Sequence, residues 1–219
     1  MRLTGVIALA LLAYLAALAA PIGMADLTAF GPRQTLARAE RPFPLPADAE
    51  WLRGQELLSK ALALDPGNPN FAENLARWHE RAASRLPARS PDAAAHLRQS
   101  LRYFRRAAAA RPSSPYTWSN IALIKLRLAE IDDELARAVT NSTQFGPWEP
   151  EVELAIADVM FIAGERLSPE ARLAGRKLLI NALRHQDEKL YERAVRYGRL
   201  ALLCSLPGAA TARFAFNCI

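Results

Sequence analysis

One short stretch of the sequence has to end one helix and begin another. Pro112 follows an alanine-rich segment that ends at Arg111, and proline cannot continue a helix because it lacks the N–H and clashes with the preceding turn. Ser114 and Pro115 then supply a side-chain cap and a proline for the first turn, the residue types that best start a helix. The stretch therefore predicts a helical hairpin with a tight turn.

The same turn chemistry occurs twice, and each copy places a large apolar residue, an alanine and a proline at nearly equal offsets. The two sets are Leu58, Ala61 and Pro66, and Phe104, Ala107 and Pro112. The helix-starting residues Pro115 and Pro150 are also 35 residues apart. A period of about 34 residues indicates stacked helical hairpins.

Hydrophobic periodicity and proline-containing breaks predict eight helices in the body of the chain. Their spans are 48–64, 69–86, 91–110, 115–128, 131–141, 150–163, 168–185 and 187–206. No run of β-branched residues alternates with period two, so the predicted fold class is all-α. About three helix pairs are enough for a stable stack.

A large aromatic residue, a small residue and a turn proline at these offsets resemble the hinge of a tetratricopeptide (TPR) repeat, and Trp118, Ile121 and Ala122 continue the pattern. The resemblance covers about residues 48–185 and implies a TPR-like right-handed solenoid of helical hairpins. In such proteins the inner groove is formed mainly by the first helix of each pair. The implied partner-binding residues are Tyr116, Ser119, Asn120, Leu123, Arg127, Glu73, Arg77 and Asp158, with Asn70, Glu80, Glu151 and Leu154 as further groove positions.

The N-terminus predicts a membrane-directed segment. Arg2 is followed by an uncharged run from Leu3 to Ala25, which suits either a transmembrane anchor or a signal peptide over residues 1–25. Gly23-Met24-Ala25 meets the small-residue rule for cleavage, so both alternatives are open, but the run is longer than most signal-peptide cores and favours the anchor. Either way, we expect the rest of the chain to face the bacterial periplasm.

These observations predict four segments. They are an anchor or signal peptide at 1–25, a proline-rich linker at 26–47, a TPR-like domain at 48–206 and a C-terminal tail at 207–219. Within the linker, residues 41–46 alternate proline with other residues and are expected to be extended.

Motifs for catalysis are missing from the sequence. It contains no His-Glu-x-x-His, Cys-x-x-Cys, P-loop or Gly-x-Ser-x-Gly pattern, and its three histidines fall on different predicted helices. We therefore expect no enzymatic activity, no cofactor and no metal. Glu149 and Glu151 could form the acid pair of a glycan-processing enzyme, but acidic residues at a helix start are favoured by the helix dipole alone.

The net charge of +6 includes a basic stripe on one predicted helix. The stripe consists of Arg98, Arg102, Arg105 and Arg106. It could bind anionic polysaccharide, lipid phosphate or an acidic partner, or it could be an ordinary solvated face. Nucleic acid is not an expected partner, because the N-terminus predicts export.

Cys204 and Cys218 are the only two cysteines. In an oxidising compartment they could form a disulfide that closes a loop of about 15 residues and stabilises the chain by about 3 kcal/mol. The alternative is one buried thiol and a reduced tail. Predicted export favours the bridge.

The expected function is a membrane-tethered periplasmic scaffold that binds a protein partner in the cell envelope. The run from Arg111 to Trp118, together with Gly146-Pro147-Trp148-Glu149-Pro150, is also similar to small membrane-anchored TPR accessory proteins of bacterial exopolysaccharide biosynthesis. That similarity implies a role in polysaccharide biosynthesis or export at the inner membrane. The alternatives are an assembly factor for pilus or secretion machinery and an all-α glycan-processing enzyme.

Overall fold

The structure is a computed structural model that describes residues 2–39 and 47–209. These residues form ten α-helices and one 3-10 turn, Gly164–Arg166, and contain no strand, which confirms the all-α fold class. The helices are α1 (Arg2–Ala39), α2 (Asp48–Leu64), α3 (Pro69–Ser84), α4 (Pro91–Ala110), α5 (Pro115–Arg127), α6 (Asp133–Phe145), α7 (Pro150–Ala163), α8 (Pro169–Ala182), α9 (Asp187–Arg196) and α10 (Leu200–Cys204).

Four helices begin with the predicted combination of a side-chain cap and a proline. In α3, α4, α5 and α8 the caps are Asn68, Ser90, Ser114 and Ser168, and each accepts a backbone N–H of the first turn. This local chemistry explains why α4 has the predicted bounds and why α3, α5 and α8 begin at or next to the predicted residue. The predicted bounds of α2 and α7 are also confirmed, although neither helix has a side-chain cap.

The helix predicted over 187–206 is wrong, because the structure contains two helices there. Gly198 adopts a φ of +64°, a left-handed conformation that ends α9. The N–H of Arg199 donates to the carbonyl of Ala194 at 2.7 Å, and the N–H of Gly198 donates to Val195 at 3.1 Å. This pair of bonds is a Schellman motif, which terminates a helix.

The first half of the predicted linker is also corrected. Residues 26–39 continue α1 and pack on α2 and α3, with Ala29 and Leu36 buried in that interface. Thr35 donates a hydrogen bond to Glu50 of α2 at 3.0 Å. The small residues that make this contact give only a weak amphipathic signal in the sequence. The extended segment predicted at 41–46 lies outside the described residues.

The N-terminal half of α1 is exposed and apolar. Residues Gly5–Ala39 contain a stretch that is long and apolar enough to cross a membrane, and none of that stretch is buried. The helix is thus compatible with a membrane anchor or a signal helix.

Consecutive helices from α1 to α8 pack on one another, and so do α9 and α10. Helices two apart in the chain also make contact in four pairs, α1 with α3, α5 with α7, α6 with α8 and α7 with α9. The signature residues of both repeated turns lie in the interior: Leu58, Ala61, Phe104 and Ala107 are fully buried. Trp118 is half-buried and donates its indole N–H to the carbonyl of Pro112 at 2.7 Å. The hinge that the sequence predicts is therefore a packed turn.

The contact between α2 and α3 is made by aromatic residues. Trp78 of α3 is 0% exposed, and its ring stacks on Trp51 of α2 at a centroid distance of 4.0 Å. Gly54 lies against the same indole, so close that a Cβ built there would stand 2.3 Å from a Trp78 ring carbon. The absence of a side chain at Gly54 is what allows the two helices to approach.

Candidate partner-binding groove

An open cavity of about 680 Å³, which we call the groove, lies where α3, the α4–α5 turn, α5 and the start of α7 meet. Its charged and polar side chains come from all of these segments. They are Glu73, Arg77, Glu80, Arg111, Ser113, Ser114, Tyr116, Asn120 and Glu151. Six of them are groove positions implied by the TPR resemblance, and Arg111, Ser113 and Ser114 are not.

The residue spacing on α3 explains one wall of the groove. Glu73, Arg77 and Glu80 follow one another at intervals of four and three residues, so they share one face of the helix. Leu75 and Trp78 lie on another face and are buried in the core. The helix therefore has a charged side at the groove and an apolar side at the core.

Arg111, the C-cap residue of α4, connects helices beside the groove. Its guanidinium donates to Oε1 of Glu73 at 2.9 Å and to Oδ1 of Asn70 at 3.3 Å. The hydroxyl of Thr117 on α5 donates to the same oxygen of Glu73. Glu73 thus joins α3 to both α4 and α5, which holds this side of the groove in place.

Tyr116 connects α5 to the residue that precedes α7. Its hydroxyl donates a hydrogen bond to Oε2 of Glu149, and that bond raises the pKa of the Tyr116 hydroxyl, with burial and the charges of Glu149 and Glu151 acting in the same direction. The residue is nevertheless 42% exposed. Its ring therefore offers an aromatic surface to a partner.

Asn120 lies one turn beyond Tyr116 on α5 and lines the groove half-buried. Its carboxamide has no hydrogen-bond partner within the part of the chain that the structure describes. A carboxamide can donate and accept at the same time. Because a peptide backbone presents an N–H donor and a carbonyl acceptor, Asn120 is suited to bind an extended chain.

Three implied partner-binding residues of α5 have structural contacts instead of lining the groove. Ser119 is buried and donates to the carbonyl of Tyr116 at 3.0 Å, and Leu123 packs against the main core. Arg127 donates to Oε1 of Glu80 at 3.1 Å. Glu80 therefore has a cationic partner at the groove wall.

Asp158 also lies apart from the groove. Its carboxylate is 3.1 Å from the guanidinium of Arg193 on α9. Burial raises the pKa of Asp158, and the charges of Arg193 and Arg196 offset only part of that effect. Asp158 therefore connects α7 to α9.

The basic stripe of α4 divides into two pairs. Arg105 binds Glu134 of α6 through two hydrogen bonds of 2.7 and 2.6 Å, and Arg106 donates to the carbonyl of Pro66 at 2.9 Å. Arg98 and Arg102 are exposed, with no ionic partner among residues 5–39 and 47–209. Among the described residues, only Arg105 of the stripe has its charge paired with a carboxylate.

Lys125 is a buried cation that sequence reasoning missed. It is 1% exposed, and its ammonium lies 3.1 Å from Glu130, 2.8 Å from Asp132 and 2.9 Å from Glu134. Asp132 also caps α6 by accepting the N–H groups of Glu134 and Leu135. The helix dipole alone explains acidic residues at this helix start, but the structure shows that they also surround an ammonium.

Burial acts to lower the pKa of Lys125, but hydrogen bonds to Asp132, Glu134 and Glu130 outweigh it and raise the pKa. The pKa values of Asp132 and Glu134 are lowered in return. Burial acts to raise the pKa of Asp132, but the hydrogen bond from Lys125 and the other favourable contacts outweigh it. The main cause of the lowered pKa of Glu134 is the hydrogen bond from Arg105. This cluster joins α5 to the turn that follows it and to the start of α6.

Glu153 is a second buried charge, at the position in α7 that corresponds to Trp118 in α5. It is 0% exposed and accepts a hydrogen bond from the amide of Gln186 at 2.6 Å, and His185 lies 2.9 Å from the same oxygen. Burial raises the pKa of Glu153, and the contacts with Gln186 and His185 counteract part of that rise. A polar contact thus takes the place of an aromatic one between α7 and the α8–α9 turn.

His79 and His96, which the sequence places on separate helices, meet in the structure. Their Nδ1 atoms are 3.0 Å apart, and the ring of His79 stacks on Tyr103. Burial, followed by the charge of His96, lowers the pKa of His79 from 6.5 to about 4. The folded chain therefore holds His79 neutral.

Protonation of His79 is expected to destabilise the chain in acid. Since the folded pKa lies below the unfolded one, the stability that depends on neutral His79 is present above the unfolded value of 6.5 and is lost as the pH falls through about 4. The His79→Phe variant keeps an aromatic ring beside Tyr103. Urea denaturation at neutral pH and at pH about 4 measures how much unfolding free energy each chain loses on acidification. The variant should lose about 2 kcal/mol less than the wild type. Parallel pH profiles for both chains would contradict this.

The predicted disulfide involves a residue outside the described range. Cys204 is half-buried at the end of α10, whereas Cys218 is not among the described residues. The bridge therefore stays a prediction.

The fold and the groove define this chain as an all-α protein with a long apolar N-terminal helix. Comparisons with protein-family models, with curated proteins and with solved structures find no match to it. Its function must therefore be argued from the groove itself.

Proposed function

We propose that this protein is a membrane-tethered, TPR-like scaffold whose groove binds an extended segment of a partner protein in the cell envelope. The observation that carries the proposal is the cavity of about 680 Å³ to which α3, α5 and α7 all contribute side chains at the implied groove positions. The unpartnered carboxamide of Asn120 would bind the partner's backbone. Tyr116 would contribute aromatic contact, and Arg77 and Glu151 would select its charges.

The location that we propose is the inner membrane, with the helical domain in the periplasm. The apolar half of α1 supports a membrane-spanning segment, and Arg2 at its start favours an N-terminus that stays inside. We propose that α1 is retained after export, because Ala25, at the potential cleavage site, is fully buried in the same helix that packs on α2 and α3. The role that we propose is support of exopolysaccharide biosynthesis or export, from the sequence similarity of the two proline-containing turns.

The experiment compares capture of envelope proteins by the full-length chain and by a groove variant, after cross-linking and detergent extraction. In the variant Tyr116→Ala/Asn120→Ala, recovery of the partner should fall about tenfold or more, because a few groove contacts carry most of the binding energy. The matched control is Arg98→Ala/Arg102→Ala, which removes two exposed side chains from α4 and should leave recovery unchanged. Undiminished capture by a folded groove variant would exclude the groove as the binding site.

A further inference from the structure

A second cavity, of about 370 Å³, is lined by the end of α7, the 3-10 turn, α8 and the α9–α10 region. It shares no lining residue with the groove. Its apolar floor includes Phe161, Ile162 and Leu202, and four arginines stand around it. The arginines are Arg166, Arg172, Arg176 and Arg199. We call this cavity the arginine pocket.

Two of the four guanidinium groups are held by backbone carbonyls. Arg172 donates to the carbonyl oxygens of Glu165 and Leu167 at 3.0 and 3.2 Å. Arg199 donates through Nε to the carbonyl of Phe161 at 2.9 Å. These bonds orient the guanidinium groups without neutralising their charge, and they leave further N–H donors available.

The positive charge of the pocket is not balanced by its own acidic residue. Among the described residues that line the pocket, Glu165 is the one with a carboxylate; its side chain is 90% exposed and lies 3.9 Å from Arg199. A pair of that length and exposure contributes little. Arg166 and Arg176 have no hydrogen-bond or ionic partner in the described part of the chain. Three positive charges are therefore left in excess around one small cavity.

The shape and chemistry of the pocket select one class of ligand. Guanidinium groups bind phosphate oxygens through paired hydrogen bonds, and an excess of three charges suits a multiply charged anion better than a single carboxylate. Ile162 is 39% exposed at the floor, so an apolar substituent on the anion would cover it. A volume of about 370 Å³ is at the small end for ligand sites.

We propose that the arginine pocket binds an organic phosphate, that is, a phosphate or diphosphate ester with an apolar substituent. This site is independent of the partner-binding groove. The ester could be dissolved or could be the head of a lipid, and in both cases the anion is bound by Arg166 and Arg176 and the substituent lies on Ile162.

The test uses the full-length protein in phosphatidylcholine nanodiscs, titrated by calorimetry with phenyl phosphate and with inorganic phosphate. Phenyl phosphate should bind more tightly than inorganic phosphate and should raise the melting temperature. Arg166→Gln and Arg176→Gln should each weaken the binding of phenyl phosphate about tenfold, the loss of one charge-assisted hydrogen bond. The control Arg53→Gln, on the exposed face of α2 away from the arginine pocket, should change it less than about twofold.

A second pair of measurements separates the parts of the proposal. Ile162→Ser should weaken the binding of phenyl phosphate while leaving that of inorganic phosphate unchanged. Phosphatidic acid added to the nanodisc should compete with phenyl phosphate if the source is a lipid, and a lack of competition indicates a soluble ester. Equal binding of the two phosphates, tighter binding of a diglutamate peptide, or indifference to Arg166→Gln and Arg176→Gln in chains that melt like the wild type would each overturn the proposal.

Discussion

Replacing Trp78 by alanine is expected to lower the free energy of unfolding by about 3–5 kcal/mol, the largest effect of any single change considered. The Trp78 side chain is fully buried, and its ring stacks on Trp51. Its loss would leave a cavity between α2 and α3, at the contact that joins α1 and α2 to the other helices. Urea denaturation followed by far-ultraviolet circular dichroism measures the loss without relying on tryptophan fluorescence.

The contact between Gly54 and Trp78 supplies an internal control. In the wild-type background Gly54→Ala should be destabilising by about 1–3 kcal/mol, since the new Cβ would stand 2.3 Å from a rigid indole. In the Trp78→Ala background the same change should be neutral or stabilising by up to about 1 kcal/mol, because alanine favours helix over glycine. An equal loss in both backgrounds would show that the indole does not set the helix separation.

Replacing Lys125 by alanine is expected to lower the free energy of unfolding by about 3 kcal/mol, the lower end of the range for breaking a buried ion pair. The ammonium is fully enclosed, whereas its partners Glu130 and Asp132 are partly exposed and would regain water. Glu134 would still have Arg105. Lys125→Met restores the aliphatic packing and should recover part of the loss.

The pH dependence distinguishes lost charge pairing from lost packing. The folded pKa values of Asp132 and Glu134 are lowered, so the stability that their charges supply is present above their unfolded pKa values near about 4 and is lost as the pH falls through the folded values. The difference between wild type and Lys125→Met should therefore shrink between pH about 7 and pH about 3. A constant difference would assign the effect to packing alone.

The sequence predicts best what depends on neighbouring residues. Ser90 and Ser114 lie directly before a proline, and both cap a helix as expected. The repeated offsets also place Phe104 and Ala107 correctly in the interior. These features could be predicted because capping and burial patterns are local in the chain.

Other features depend on distant contacts or on one dihedral angle. The sequence does not distinguish Gly198 as an interior helix residue from Gly198 as a helix end. Its φ of +64° in the structure shows that it ends α9. The pairing of His79 with His96, 17 residues away, follows from the packing of α3 on α4. The alanines at the end of α1 are too small to give a strong hydrophobic pattern, although Ala29 is fully buried.

The TPR resemblance implied several of the residues that line the groove but none of their contacts. Glu73, Tyr116 and Asn120 are three that it implied, and they line one cavity. The ion pair of Arg127 with Glu80 is formed between residues 47 apart, and no local rule selects it. The arginine pocket escaped prediction for the same reason, because its four arginines come from three separate segments.

The continuity of α1 has a consequence for how the domain stands on a bilayer. One unbroken helix carries both the exposed apolar half and the half that packs on α2 and α3. If the apolar half spans a bilayer as we propose, the tilt of that half also sets the direction in which the groove faces, because both halves belong to one helix. Residues 26–39 extend about 20 Å at the helical rise, so α2 and α3, which pack on them, would then lie close to the head groups.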